Sequence, residues 1–297
     1  MRLLTRQLQN DHNIFLFSCD HEGTVLRSKK GWDKLVHMMN SSYGGLTPDR
    51  NWGIHHGDIM EAIMIDDPRY NPLVIPEDSA VPLEQAKNCV KNLEPIKEKL
   101  LTVLEGNHPL KLSRFGLLTK WVCDQLLIDT PRGKEPVPYG TWSSKITIET
   151  TGKAKLMYKI HSTHGRKSII STADDPKRRR TNKELILKRL LKFKMSDCAL
   201  MSRGHSHLLL CCRPEKELII VGSEKLKADY TGGGLHEYFI HPDHRWYVSA
   251  GSFQMLYGEN ISGYAEIGEY DPIEIGFAVA RIRDRKIVDA DLITLDI

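Results

Sequence analysis

The sequence predicts a mixed α/β (α+β) fold, two mixed β-sheets packed together with helices outside. Three observations lead there. Up to about residue 127, short apolar runs alternate with stretches of helical periodicity. After Arg132 the pattern turns to strands, interrupted by one amphipathic helix. No internal repeat or low-complexity tract breaks the 297 residues, a length with room for one large domain or two small ones, and a single domain over 1–297 is expected.

The elements follow in order. Asn13 to Ser18 (NIFLFS) is an apolar run that ends on the polar stretch Cys19-Asp20-His21-Glu22-Gly23, so it reads as a strand feeding a loop. Gly31 to Asn40 sets Trp32, Leu35, Val36 and Met39 at helical spacing. Trp52 and Ile54 lead into Gly57-Asp58 on a second strand. Gln85 to Leu100 reads as a helix, broken or kinked near Pro95. Leu101 to Leu104 runs as a strand into Gly106-Asn107-His108, and Phe115 to Leu127 as another helix. Strands are then expected at Lys145 to Glu149, Lys155 to Ile160, Cys198 to Ser202, Leu208 to Cys212, Leu218 to Val221, Trp246 to Ser249 and Ile275 to Arg281. The helix among them, Asn182 to Phe193, carries Leu185, Ile186, Leu190 and Leu191 on one face.

Composition excludes some classes. No run approaches the roughly 18 apolar residues of a membrane span, so no membrane partner is expected. The opening MRLLTRQLQNDHNIF has no apolar core of a secretory signal. The cysteines at 19, 89, 123, 198, 211 and 212 show no CxxC spacing, which argues against a disulfide framework and for the cytoplasm. A net charge of +4 permits an anionic partner without demanding one.

The polar motifs carry the chemistry. Asp58 follows a strand and a glycine. A carboxylate there can bridge two cations, which about 3.5–4 Å apart clamp a phosphoryl group and activate water. Alone, Gly57-Asp58 more often describes a turn, and the case rests on the motifs together. The Asn107 amide oxygen is a neutral ligand type, and His108 beside it suits proton donation or charge stabilisation toward a substrate. His205 and His207 in Gly204-His205-Ser206-His207 lie two apart, on one side of an extended segment or splayed toward two metals in a turn. Imidazole suits zinc, manganese, iron and nickel alike. His164-Gly165 follows a strand. His161 competes with His164, and the glycine favours His164 by allowing close backbone approach. His55 and His56 precede Gly57-Asp58 and read as strand residues.

In this order and spacing the motifs resemble the calcineurin-like metallophosphoesterase superfamily, whose pattern is D-x-H, G-D, G-N-H, H and G-H-x-H. The match spans Cys19 to His207, about two thirds of the chain. Asp67-Pro68-Arg69-Tyr70, Gly251-Ser252-Phe253 and Gly263-Tyr264-Ala265-Glu266 look like a subgroup of bacteriophage and mobile-element genomes. The resemblance implies a β-sandwich flanked by helices and two divalent metal ions, of manganese, zinc, iron or nickel type. It implies His21, Asp58 and His207 on the first metal, and Asp58, Asn107, His164 and His205 on the second, with Asp58 bridging and His108 as the catalytic imidazole. Two positions depart from the pattern. Cys19 stands where the family has its first Asp, so that either a Cys19 thiolate, favouring a softer metal, or Asp20 after a backbone shift completes the first site. Pro109 stands where an acid often follows G-N-H.

Between the His164 and His205 motifs lies a basic stretch, with Arg178, Arg179 and Arg180 as candidate substrate contacts. It either grips a phosphate backbone or is a solvated helix face. The implied function is a metal-dependent phosphoester hydrolase, a phosphodiesterase or nuclease acting on nucleotides or nucleic acid. The alternatives are a phosphomonoesterase on a small substrate, a non-catalytic scaffold that keeps the fold, and a nucleic-acid-binding module with incidental histidines. The loops Asp66 to Val81, Thr130 to Tyr139 and Glu224 to His241 carry no readable substrate code.

Overall fold

Phe15 and Phe17 alternate along one strand with Ile14 and Leu16, and all four side chains are buried. A strand apolar on both faces must be covered on both. The computed structural model, which describes residues 1–222, 225–231 and 238–295, does this with four layers. One sheet has five strands in the order Lys286–Thr294, Gly276–Arg283, His12–Phe17, Asn51–His55, Leu100–Val103. The last three run parallel, and Gly276–Arg283 is antiparallel to both its neighbours. The other has six, in the order Arg2–Leu8, Ser143–Thr150, Leu156–Thr163, Leu200–Arg203, Trp246–Ala250, Leu209–Cys212.

Ile14, Leu16, Ile54 and Ala278 from the first sheet meet Ile146, Ile160, Leu200 and Val248 from the second in one buried cluster between them. Phe15 and Phe17 face outward into another cluster, closed by Trp32 and Leu35 of the Lys29–Met39 helix, Cys89 of Pro82–Leu93 and Val122 of Leu118–Gln125. On the far side of the six-stranded sheet, Leu187 and Leu191 of the Pro176–Leu191 helix pack on Met201, Leu210 and Tyr247.

Several expectations shift. The Gln85 to Leu100 helix ends at Leu93, and Glu94–Lys99 is a 3-10 turn around Pro95. The Phe115 to Leu127 helix starts only at Leu118. The Asn182 helix begins at Pro176, capped by the Asp175 side chain, which accepts from the Arg178 N–H. On it Leu187 fills the core while Leu185 is exposed. Leu218–Val221 joins neither sheet and pairs with Lys227–Tyr230 as a solvent-exposed ribbon. The Thr130 to Tyr139 loop contributes a strand, Gly133–Pro136, to a hairpin with Leu127–Thr130. Within the Glu224 to His241 loop, positions 224 and 232–237 lie outside the described residues. No helix among the described residues is long and apolar enough to cross a membrane.

Candidate metal centre

Five of the strands end on the five motifs. In the first sheet the parallel strands His12–Phe17, Asn51–His55 and Leu100–Val103 lead into Cys19 and His21, Asp58, and Asn107 with His108. In the second sheet the parallel pair Leu156–Thr163 and Leu200–Arg203 leads into His164, and His205 with His207. Carboxyl ends of parallel strands are where open sheets gather ligand groups.

The loops are tied together before their side chains matter. The Cys19 N–H donates to the Gly57 carbonyl at 3.0 Å, and the His21 N–H to the Asp58 carbonyl at 3.1 Å. Cys19, His21, Asp58, His205 and His207 all take left-handed backbone, with φ of 55°, 52°, 52°, 66° and 55°. Non-glycine residues there cost on the order of 1 kcal/mol each and collect at functional sites. Gly106 is needed for a different reason: a Cβ there would lie 2.0 Å from Asp58 Oδ1. Its absence lets Asp58 Oδ1 accept the His108 N–H at 2.9 Å.

Three donor groups result: two gather the expected ligands, and the third joins His21 to Glu61 and His108. In the first, one donor atom each from Cys19, His21 and His207 lies within 4.8 Å of the others. His21 Nδ1 donates to Glu61 Oε2 at 2.6 Å, which leaves Nε2 facing His207 Nε2 at 3.2 Å. Burial works against a charge on His21, but the Glu61 carboxylate outweighs it and raises its pKa well above the ordinary histidine value. In the second group the same 4.8 Å limit holds for Asp58, His164 and His205. His164 Nδ1 donates to the His56 carbonyl at 2.6 Å. Its Nε2 therefore turns to Asn107 Oδ1 at 2.8 Å and Asp58 Oδ2 at 3.1 Å. A nitrogen lone pair facing two oxygen acceptors is repulsive unless a cation or proton lies among them.

The electrostatics suit deprotonated ligands at Asp58, His205 and His207, whereas at His21 an ion would have to displace the ring proton that Glu61 favours. Burial would raise the Asp58 pKa, but His164 and His108 hold it well below the usual carboxylate range. Burial lowers His205 to about 4 and His207 well below its ordinary value. Sulfur and imidazole in the first group suit a borderline-soft ion such as zinc or iron, and the second group is richer in oxygen. In each, a histidine is oriented by a bond from its other ring nitrogen, the usual support of a metal ligand. The donor chemistry fits two divalent ions.

The choice between Cys19 and Asp20 falls on geometry. Asp20 is bound by Arg27, at 2.7 Å from Nε and 3.2 Å from Nη2, and Cys19 Sγ is the atom in the donor group. Asp58 groups with His164 and His205, and no three-donor group joins it to His21 and His207. His161 is buried on its strand, outside all three groups. Gly165, with φ of 83°, makes room for the Arg203 guanidinium, whose Nη2 would lie 2.7 Å from a Cβ there.

No family model matches this chain, and no curated protein matches it. The site therefore stands on its own geometry.

A cavity of about 530 Å3 opens over the donor groups, with Asp58, Asn107, His108, His205 and His207 at its base. His108 Nδ1 donates to the Glu61 carbonyl at 2.5 Å, which fixes the ring and leaves Nε2 as its free hydrogen-bonding atom. Arg178, Arg179 and Arg180 do not line this cavity. They sit on the first turn of their helix, where Arg179 caps the Asp174 carbonyl and Arg180 pairs with Glu184 at 3.2 Å. Lys183, one turn further on, lines it instead. Sequence reasoning also missed Glu61, the buried carboxylate that orients His21 and sits 3.9 Å from His108 Nδ1. Its only signal was an acid three residues past Asp58 on an otherwise apolar run.

Proposed function

We propose that this chain is a metal-dependent phosphoester hydrolase, a phosphodiesterase acting on nucleotides or nucleic acid. The observation that carries the reading is the pair of donor groups, Cys19, His21 and His207, and Asp58, His164 and His205, which reach one cavity through His207, Asp58 and His205 beside His108. Asn107 adds a neutral oxygen to the second group. Two divalent ions, when bound, supply neutralisation of phosphoryl charge and activation of water. The chain's own residues do the rest. Asp58 holds its charge although buried, Glu61 orients His21, and His108 presents one ring atom to the leaving oxygen. A phosphomonoesterase on a small substrate is the second reading, favoured by the bounded cavity.

The test is metal analysis of the purified protein, followed by hydrolysis of bis-p-nitrophenyl phosphate and p-nitrophenyl phosphate with added manganese, zinc or nickel. Metal-dependent turnover of either ester, abolished together with metal binding in Asp58→Ala, supports the proposal. Absence of bound metal and of turnover with every ion sinks it.

A further inference from the structure

The cavity walls differ in chemistry from its base. One wall is the segment Ser168 to Ser171 with Lys183. It is held in place by Arg203, whose Nη2 donates to the Lys167 carbonyl at 2.7 Å, and by Asn182, whose Nδ2 donates to Ser171 Oγ at 3.2 Å. The lining also includes Leu256 and the turn Glu269 to Asp271 with Ile273. That turn is braced by the Tyr270 N–H on the Ala265 carbonyl at 3.0 Å, and by the Tyr257 hydroxyl on the Tyr270 carbonyl at 2.5 Å.

Three features bear on what enters. The volume, about 530 Å3, is that of a small-molecule site. Ile170 and Tyr270, 70% and 55% exposed, both line the cavity and offer it apolar surface. Glu269 and Asp271 put negative charge on the wall, with Lys183 the only lysine or arginine among the lining residues. A nucleic-acid strand needs a cationic groove that tracks its phosphates, and carboxylates along the path repel them. The arginines that would supply such a track, Arg178 to Arg180, lie off the cavity.

We infer that the cavity selects a small phosphoester bearing one flat aromatic arm with hydrogen-bond donors at its edge, of mononucleotide type, and rejects the polymer. The phosphoryl group rests on the base near His108, with Lys183 facing its charge. The aromatic arm packs against the exposed Ile170 and Tyr270 side chains. The edge donors meet Glu269 and Asp271. This rests on the hydrolase reading above, and narrows its substrate to one side of the nucleotide or nucleic-acid choice.

Calorimetry on the zinc- or manganese-loaded protein tests it, with adenosine 5′-monophosphate, ribose 5-phosphate and a ten-residue oligodeoxyadenylate as probes. The first two share the phosphoester and the sugar and differ only by the base. The nucleotide should bind about tenfold more tightly than ribose 5-phosphate, the scale of one stacked base. The oligonucleotide should bind no more tightly than the nucleotide. Tyr270→Ala should remove most of the tenfold difference and leave ribose 5-phosphate binding unchanged. Ile170→Ser, a change at an exposed position, should act in the same direction if the first variant fails to fold. Equal affinities for the nucleotide and ribose 5-phosphate, or an oligonucleotide more than tenfold tighter than the nucleotide, overturn the inference. Turnover of the nitrophenyl esters, run in parallel, separates the two failures. Equal affinities with turnover intact defeat the substrate assignment alone, and no turnover with any metal defeats the hydrolase reading beneath it.

Discussion

His108 and Glu61 show how one residue can serve two histidines. The Glu61 carboxylate takes the His21 Nδ1 proton while its main-chain carbonyl takes that of His108. The two roles separate by substitution. His108→Ala should lower turnover by roughly a hundredfold to ten-thousandfold, the range for a positioned acid or base, with metal content unchanged. Glu61→Gln keeps the main-chain contact and weakens only the support of His21, so metal affinity should fall by about 10–100-fold. Metal titration beside steady-state kinetics checks both, and loss of metal in His108→Ala would move that ring among the ligands. Cys19 gives a second expectation at this scale. Its sulfur shares a group with His21 and His207, so Cys19→Asp should move metal preference toward manganese, an ion that favours oxygen. Unchanged preference in competition with zinc would make Cys19 a small buried side chain and nothing more.

Among the elements, the Pro176–Leu191 helix separates structural from solvated positions most clearly. Leu187 is fully buried against Met201 and Tyr247, whereas Leu185 is 53% exposed. Leu187→Ala should cost about 2–5 kcal/mol in urea unfolding and Leu185→Ala within about 0.5 kcal/mol, and the reverse order would mean the helix is rotated. The apolar stripe on this helix was legible as a stripe but centred one step off, because helical spacing alone cannot say which edge of a broad stripe faces the sheet. The core strands were readable because burial on both faces forces continuous apolar runs such as Ile14 to Phe17. Of the edge strands, Leu100–Val103 and Leu209–Cys212 were readable, and Arg2–Leu8 and Lys286–Thr294 were not. In Lys286–Thr294 the alternating pattern is carried partly by Asp289 and Asp291, which pair with Arg281 at 2.9 and 3.0 Å, so its signal is ionic rather than apolar. The donor residues were legible because each follows a strand and a glycine lies nearby. Glu61 and the cavity walls were not, since nothing local marks a buried carboxylate or two loops that meet only in the fold.

For the whole molecule, buried neutral histidines set the response to acid. Burial lowers His12 and His161 to about 4 each, although they lie far from one another in sequence. His12 is held by the Tyr158 hydroxyl and the Gln9 carbonyl, both at 2.6 Å. An unfolded histidine titrates near 6.5. Between about pH 6.5 and 4 the unfolded chain thus binds protons that the folded chain refuses, and stability falls as pH falls through that window. Each such histidine contributes roughly 3 kcal/mol of acid sensitivity. Urea midpoints at pH 7.5 and 4.5 should therefore differ strongly in the parent and less in His161→Leu. Equal drops in the two proteins would remove His161 from the account.

The two groups of expected ligands each draw on both sheets: Cys19 and His21 from the first with His207 from the second, and Asp58 from the first with His164 and His205 from the second. His21 and His207 are 186 residues apart. An ion held between them would close a very long chain loop, and a clip of that kind restricts the unfolded ensemble more than a local one does, the gain growing slowly with loop length. The cation would then act as a rivet through the sandwich as well as a reagent. Neither group can assemble until the two sheets have docked, so capture of the ion marks the completion of folding rather than its start.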